Sequence, residues 1–124
     1  MSGENQLKVA RVFDLGDPPG FAPEHPRMTG DAREWVLTYL KAGNTVMTTP
    51  GRLPDVVDPA RGAVVPAGVR TDGTWVWTDT ITYYLEVHGL APDPDLLGHI
   101  EAATGPPRRS DTATLQRALA ALMT

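Results

Sequence analysis

Between Arg70 and Gly89 the side-chain periodicity changes from two residues to about 3.6 with no linker between, and no other stretch constrains the fold so tightly. Asp72-Gly73 sits between short apolar runs, and Asp-Gly at the centre of a two-residue loop favours the positive φ angles of a hairpin turn. With that turn Thr71 faces Thr74, Arg70 faces Trp75, Val69 faces Val76 and Gly68 faces Trp77. Arg70, Trp75 and Trp77 then share one face, where a guanidinium can stack on an indole. Ile81, Tyr84, Leu85 and His88 follow at helical spacing, with Thr78 or Asp79 as N-cap and Gly89 as a left-handed stop. A strand that runs straight into a helix brings the aromatic rings of both into one cluster, the expected centre of the core.

The flanking chain supplies further elements. Residues 1–6 are polar and are expected to fray, and Leu7 to Phe13 alternates in the manner of a strand. From Asp14 to Gly30 the repeated prolines exclude a helix or an interior strand and predict an extended arm over the surface. Asp31 and Glu34 form a capping-box pattern ahead of a helix whose Ala32, Trp35, Val36, Tyr39 and Leu40 make one apolar stripe, ending at Gly43. Thr45 to Thr49 favours a strand, residues 50–63 a structured loop, and Val64-Val65 the start of a ribbon that Pro66 interrupts. Asp93-Pro94 opens a third helix carrying Leu96, Leu97 and Ile100, and Ser110 or Asp111 opens a fourth carrying Leu115, Ala118, Leu119 and Leu122. Arg108 and Arg109 stand at the entry of that last helix, where a positive charge opposes the helix dipole, so a contact with another segment or a partner is expected to hold them there.

At 124 residues the chain suits a single domain spanning 1–124. No apolar run approaches the roughly 20 residues that cross a bilayer, and Met-Ser-Gly-Glu-Asn-Gln lacks the basic and apolar parts of a secretory signal. A cytoplasmic protein without membrane contact is the expectation. The absence of cysteine excludes disulfides, thiolate nucleophiles and Cys-ligated metals. A formal net charge of −4, mixed along the chain with no basic stripe, argues against nucleic acid as partner.

No catalytic grammar stands out. His25, His88 and His99 do not sit at ligand spacing from one another, so no metal is expected, and no glycine-rich phosphate loop predicts a nucleotide cofactor. Neither Ser2 nor Ser110 lies in a nucleophile elbow. Asp55, Asp58, Asp72, Asp79 and Asp93 each have an ordinary use in a loop, turn or cap, and His88 suits the negative end of its helix. The remaining signal is a set of large amphipathic side chains among arginines: Arg52, Arg61, Arg70, Trp75, Trp77, Tyr83 and His88 are the candidate binding residues. Trp75 and Trp77 fit a core as well as an interface. The proline arm and the loop from Pro50 to Arg61 are the surfaces expected to be exposed for binding.

The phrase Thr-Asp-Gly-Thr-Trp-Val-Trp at 71–77, followed by Ile-Thr-Tyr-Tyr-Leu at 81–85, resembles small uncharacterised actinobacterial proteins, some of which look like immunity proteins. The likeness covers roughly residues 58 to 103 and carries no catalytic residue across. It implies a protein-binding module, an immunity-type inhibitor that neutralises a partner toxin domain by blocking its active site. Two alternatives stand beside it: a small-molecule binder or enzyme with an anion pocket around Arg70 between hairpin and helices, and a regulatory or scaffold subunit. The expected fold is α+β, a small, mostly antiparallel sheet with a 69–77 hairpin packed against helices near 31–42, 79–88, 94–103 and 111–122.

Overall fold

The computed structural model describes residues 7–123; the expectation for residues 1–6 falls outside them. The described chain is α+β. Strands β1 (Lys8–Val9), β4 (Asn44–Met47), β7 (Val69–Thr71) and β8 (Trp75–Thr78) form one sheet in the order β1-β8-β7-β4. β1 lies parallel to β8 and the other two pairings are antiparallel. Two separate hairpins, β2 (Leu15–Gly16) with β3 (Pro19–Gly20) and β5 (Leu53–Pro54) with β6 (Ala63–Val65), stand off this sheet. The helices are α1 (Gly30–Lys41), α2 (Asp79–His88), α3 (Pro94–Glu101) and α4 (Thr112–Met123).

Alternation along β8 divides the core. Trp75 and Trp77 pack with Val36, Tyr39 and Leu40 of α1, Ile81 and Leu85 of α2, and Leu96 and Ile100 of α3. Val76 points the other way, to Val69, Leu7 and Ala118 of α4. A third cluster gathers Tyr83, Tyr84, Leu90 and Val65, with Phe13 and Phe21 against it. Helix α2 therefore works on more than one side, and every residue from Thr80 to Leu85 is buried.

The hairpin turn is wider than the Asp-Gly pair predicts. Arg70 lies opposite Trp77, Thr71 opposite Val76 and Val69 opposite Thr78. Asp72 Oδ1 accepts the backbone N–H groups of Thr74 and Trp75, and the Thr71 hydroxyl accepts from Gly73 and donates to the Trp75 carbonyl. These side chains hold Asp72 to Trp75 as the turn. The register moves by two, which keeps each side chain on its expected face.

Other local expectations shift for equally local reasons. Helix α1 begins one residue early: Thr29 is its N-cap without a side-chain bond, and Glu34 pairs with Arg33 in place of a capping box. Helix α2 spans the predicted residues, with Thr78 as N-cap but no side-chain bond from it and Gly89 left-handed at φ 73°; α3 opens as predicted, the Asp93 side chain accepting from Asp95 N–H, but ends at Glu101, two residues short of the expected 94–103. The proline arm is fastened, not simply laid over the surface. It contains the β2–β3 hairpin, and Met28 N–H donates to Gly89 O while Ala91 N–H donates to Pro26 O. Val65 pairs with Leu53 and Ala63 with Pro54, so this strand forms a ribbon of its own instead of extending the central hairpin.

Candidate functional site

The β5–β6 ribbon carries the clearest site. Pro54 ends β5, and the next residue, Asp55, turns its carboxylate inward until it is 0% exposed. A one-turn 3-10 helix, Pro59–Arg61, brings the chain back to β6. Between them the backbone would have few partners of its own. Asp55 Oδ1 supplies them by accepting from Val57 N–H and Asp58 N–H, each at 2.9 Å.

The other carboxylate oxygen reaches helix α2. Asp55 Oδ2 accepts from the Tyr83 hydroxyl at 2.7 Å and meets His88 Nε2 at 2.7 Å. Arg61 Nε donates to the same Tyr83 oxygen at 3.0 Å and lies 3.8 Å from Oδ2. One turn of α2 separates neither tyrosine from the ribbon, since the Tyr84 hydroxyl accepts from Val56 N–H at 2.9 Å and its ring stacks on His88. Burial alone pushes the Asp55 carboxyl up, but the bonds from His88, Tyr83 and two backbone N–H groups outweigh it and hold its pKa down at about 2. Burial and the adjacent Asp55 push the Tyr83 hydroxyl up, so it stays a donor. An ionised carboxylate only accepts, so His88 Nε2 carries a proton toward it.

With all four of its bonds made, Asp55 works as a fastener for the ribbon. The same segment also carries exposed groups. Leu53 is 46% exposed, Val57 42% and Val64 39%, with the Arg52 and Arg61 side chains also in solvent. Beside Val57 a recess of about 210 Å³ opens between Phe21, Arg27, Val56 and Leu90.

Three of the candidate residues named from sequence, Arg61, Tyr83 and His88, converge here, and Arg52 lies on the same ribbon. The other three do not. Trp75 and Trp77 are buried, and the Trp77 indole N–H donates to Leu40 O, because their face of β8 is the one that α1 covers. Arg70 does not stack on an indole: Nε pairs with Asp79 at 2.9 Å and a terminal nitrogen donates to Gly43 O at 2.9 Å. It is Lys8 that lies over the Trp75 ring. The anion pocket expected at Arg70 thus finds two of its three nitrogens already engaged.

Sequence reasoning missed Asp55 itself, whose partners lie 28 and 33 residues away. It also missed that every histidine pairs with an aspartate, His25 with Asp14, His88 with Asp55 and His99 with Asp72. Among the described residues no group of three or more His, Asp or Glu side chains is placed to hold a metal, and no helix is long and apolar enough to cross a membrane. Compared with protein-family models, curated proteins and solved structures, the chain matches none of them.

Proposed function

We propose that the protein is a protein-binding module that docks through the β5–β6 ribbon, in the manner of an immunity-type inhibitor that covers the active site of a partner toxin domain. The observation that carries this reading is the pairing of opposites in one short segment: Leu53, Val57 and Val64 exposed, and Asp55 among them fully buried. An isolated two-stranded hairpin is marginal in water. Fastened to α2, this one presents apolar side chains in a fixed arrangement and loses little further freedom when a partner covers them. Exposed apolar groups held on a rigid element, with cations beside them, suit an interaction site. The recess beside Val57 suits an anchoring side chain of the partner, and Arg52 and Arg61 suit carboxylates at its rim.

The test is capture of partners from the native host by tagged wild-type protein, by a Leu53→Asp/Val64→Asp variant and by Arg108→Ala, with bound proteins identified by mass spectrometry. Wild type and Arg108→Ala should retain one near-stoichiometric protein, whose purified activity the wild type inhibits; the ribbon variant should lose it. An empty wild-type capture, or capture that the ribbon variant leaves intact, contradicts the reading.

A further inference from the structure

A second Tyr–Asp–His constellation lies away from the ribbon, at the turn of the central hairpin. Asp72, 2% exposed in its side chain, accepts from the Tyr39 hydroxyl at 2.6 Å and meets His99 Nε2 at 2.6 Å on one oxygen. Its other oxygen accepts from Thr74 N–H at 3.0 Å and Trp75 N–H at 2.8 Å. Burial raises the Asp72 pKa, but these four bonds outweigh it and the net shift is downward. An ionised, fully engaged carboxylate can only accept, so it fixes the imidazole with the proton on Nε2. His99 Nδ1 is left without a partner among the described residues, on a side chain 32% exposed.

This pair borders an open groove of about 390 Å³ between α1, the hairpin turn, α3 and the α3–α4 connection. Thr74, Thr104 and Arg108 are among the residues that line it. The backbone of Arg108 is held: its carbonyl accepts from Asn44 Nδ2 at 2.7 Å, and Asn44 Oδ1 accepts from Ser110 N–H at 3.1 Å. Its guanidinium makes no hydrogen bond or ion pair among the described residues, although it stands at the entry of α4 where the helix dipole opposes it.

We propose that this groove binds a phosphate monoester, with the phosphoryl group between His99 Nδ1 and the Arg108 guanidinium and the organic part in the remaining space. The protonation chemistry selects phosphate among anions. A neutral His99 offers a lone pair at Nδ1, which needs a donor, whereas an imidazolium offers N–H, which needs an acceptor. A phosphate monoester has its second pKa near 6, so its monoanion presents P–OH and P–O⁻ together and meets either state of the ring. Sulfate and carboxylates are acceptors only near neutral pH and satisfy one of the two states. The guanidinium matches the phosphoryl oxygens in geometry as well as in charge.

The experiment is titration of the protein with inorganic phosphate, phenyl phosphate and sulfate at constant ionic strength and neutral pH, read by ¹⁵N NMR of the histidine rings and backbone. Phosphate should shift the His99 ring nitrogens saturably, phenyl phosphate should bind more tightly, and sulfate should bind at least about tenfold more weakly, a factor worth about 1.4 kcal/mol. Arg108→Ala, a change at an exposed side chain, should weaken phosphate binding by about tenfold or more, and Arg52→Ala should leave it unchanged. His99→Gln should abolish the preference for phosphate over sulfate. No saturable shift at His99, equal affinity for phosphate and sulfate, or shifts confined to the ribbon would each overturn the proposal. Equal affinity for inorganic and phenyl phosphate would overturn the monoester assignment in favour of the free ion.

Discussion

The imidazole of His88 and the carboxylate of Asp55 meet at 2.7 Å across 33 residues of sequence, and that contact joins the exposed ribbon to the buried helix α2. Removing the carboxylate strands the Tyr83 hydroxyl, the His88 ring and two backbone N–H groups at once. Asp55→Ala should therefore cost about 1–3 kcal/mol, the range for leaving buried hydrogen-bonding groups without their partner. Urea denaturation measures it; a loss below about 1 kcal/mol would show that water replaces the carboxylate freely.

The same residue sets an acid limit. The folded Asp55 pKa, about 2, lies below its ordinary value, so its contribution is complete above the unfolded pKa near 4 and declines as pH falls from there through about 2. Asp72 and Asp14 are lowered too and add to the decline in the same direction. Asp55→Asn should show a shallower loss of stability across this window. Parallel curves for wild type and variant would place the acid sensitivity elsewhere.

Gly43 follows α1 at a point where a Cβ would strike the Trp77 ring and come within 3.1 Å of Arg70 Cβ. Trp77 is fully buried and has no room to retreat. Gly43→Ala should destabilise by about 1–3 kcal/mol through overpacking. A melting temperature equal to or above that of wild type would mean that α1 shifts without strain.

Arg70 ties β7 to the first residue of α2 and to the end of α1 through Asp79 and Gly43 O. Both partners of the ion pair are partly exposed, so Arg70→Ala should lower stability by only about 1 kcal/mol. Its response to phosphate in thermal-shift assays should match that of wild type. Loss of that response in Arg70→Ala would move the anion site from Arg108 to Arg70.

What the sequence shows of this fold is what local chemistry determines. Asp93-Pro94 opens α3 and Gly89 closes α2 because caps act within a few residues. Trp35, Tyr39 and Trp77 meet as their helical and strand spacing requires, with ring centroids 6.0 and 6.1 Å apart along the chain of contacts. The hairpin register was within reach only in part, because Asp72 and Thr71 side chains widened the turn that Asp-Gly alone would make tight. Of the seven candidate residues read from the sequence, Arg61, Tyr83 and His88 come together, Arg70, Trp75 and Trp77 lie elsewhere, and the organiser, Asp55, was not among them. Asp55 looks like any loop aspartate until the chain brings α2 beneath it. Asp72 and His99 were hidden in the same way, one as a turn residue and the other as a partly exposed helical one. Arg108 did leave a trace, a cation where the α4 dipole disfavours it.

Amide hydrogen exchange at Val57 and Asp58 tests the fastening of the ribbon most directly. Both residues are exposed, yet their N–H groups donate to a buried carboxylate. These two amides should exchange far more slowly than open-loop amides in the wild type, and should lose that protection in Asp55→Asn while amides of the central sheet keep theirs. Open-loop exchange at Val57 and Asp58 in the wild type would contradict a fixed ribbon, and with it the binding surface built on it.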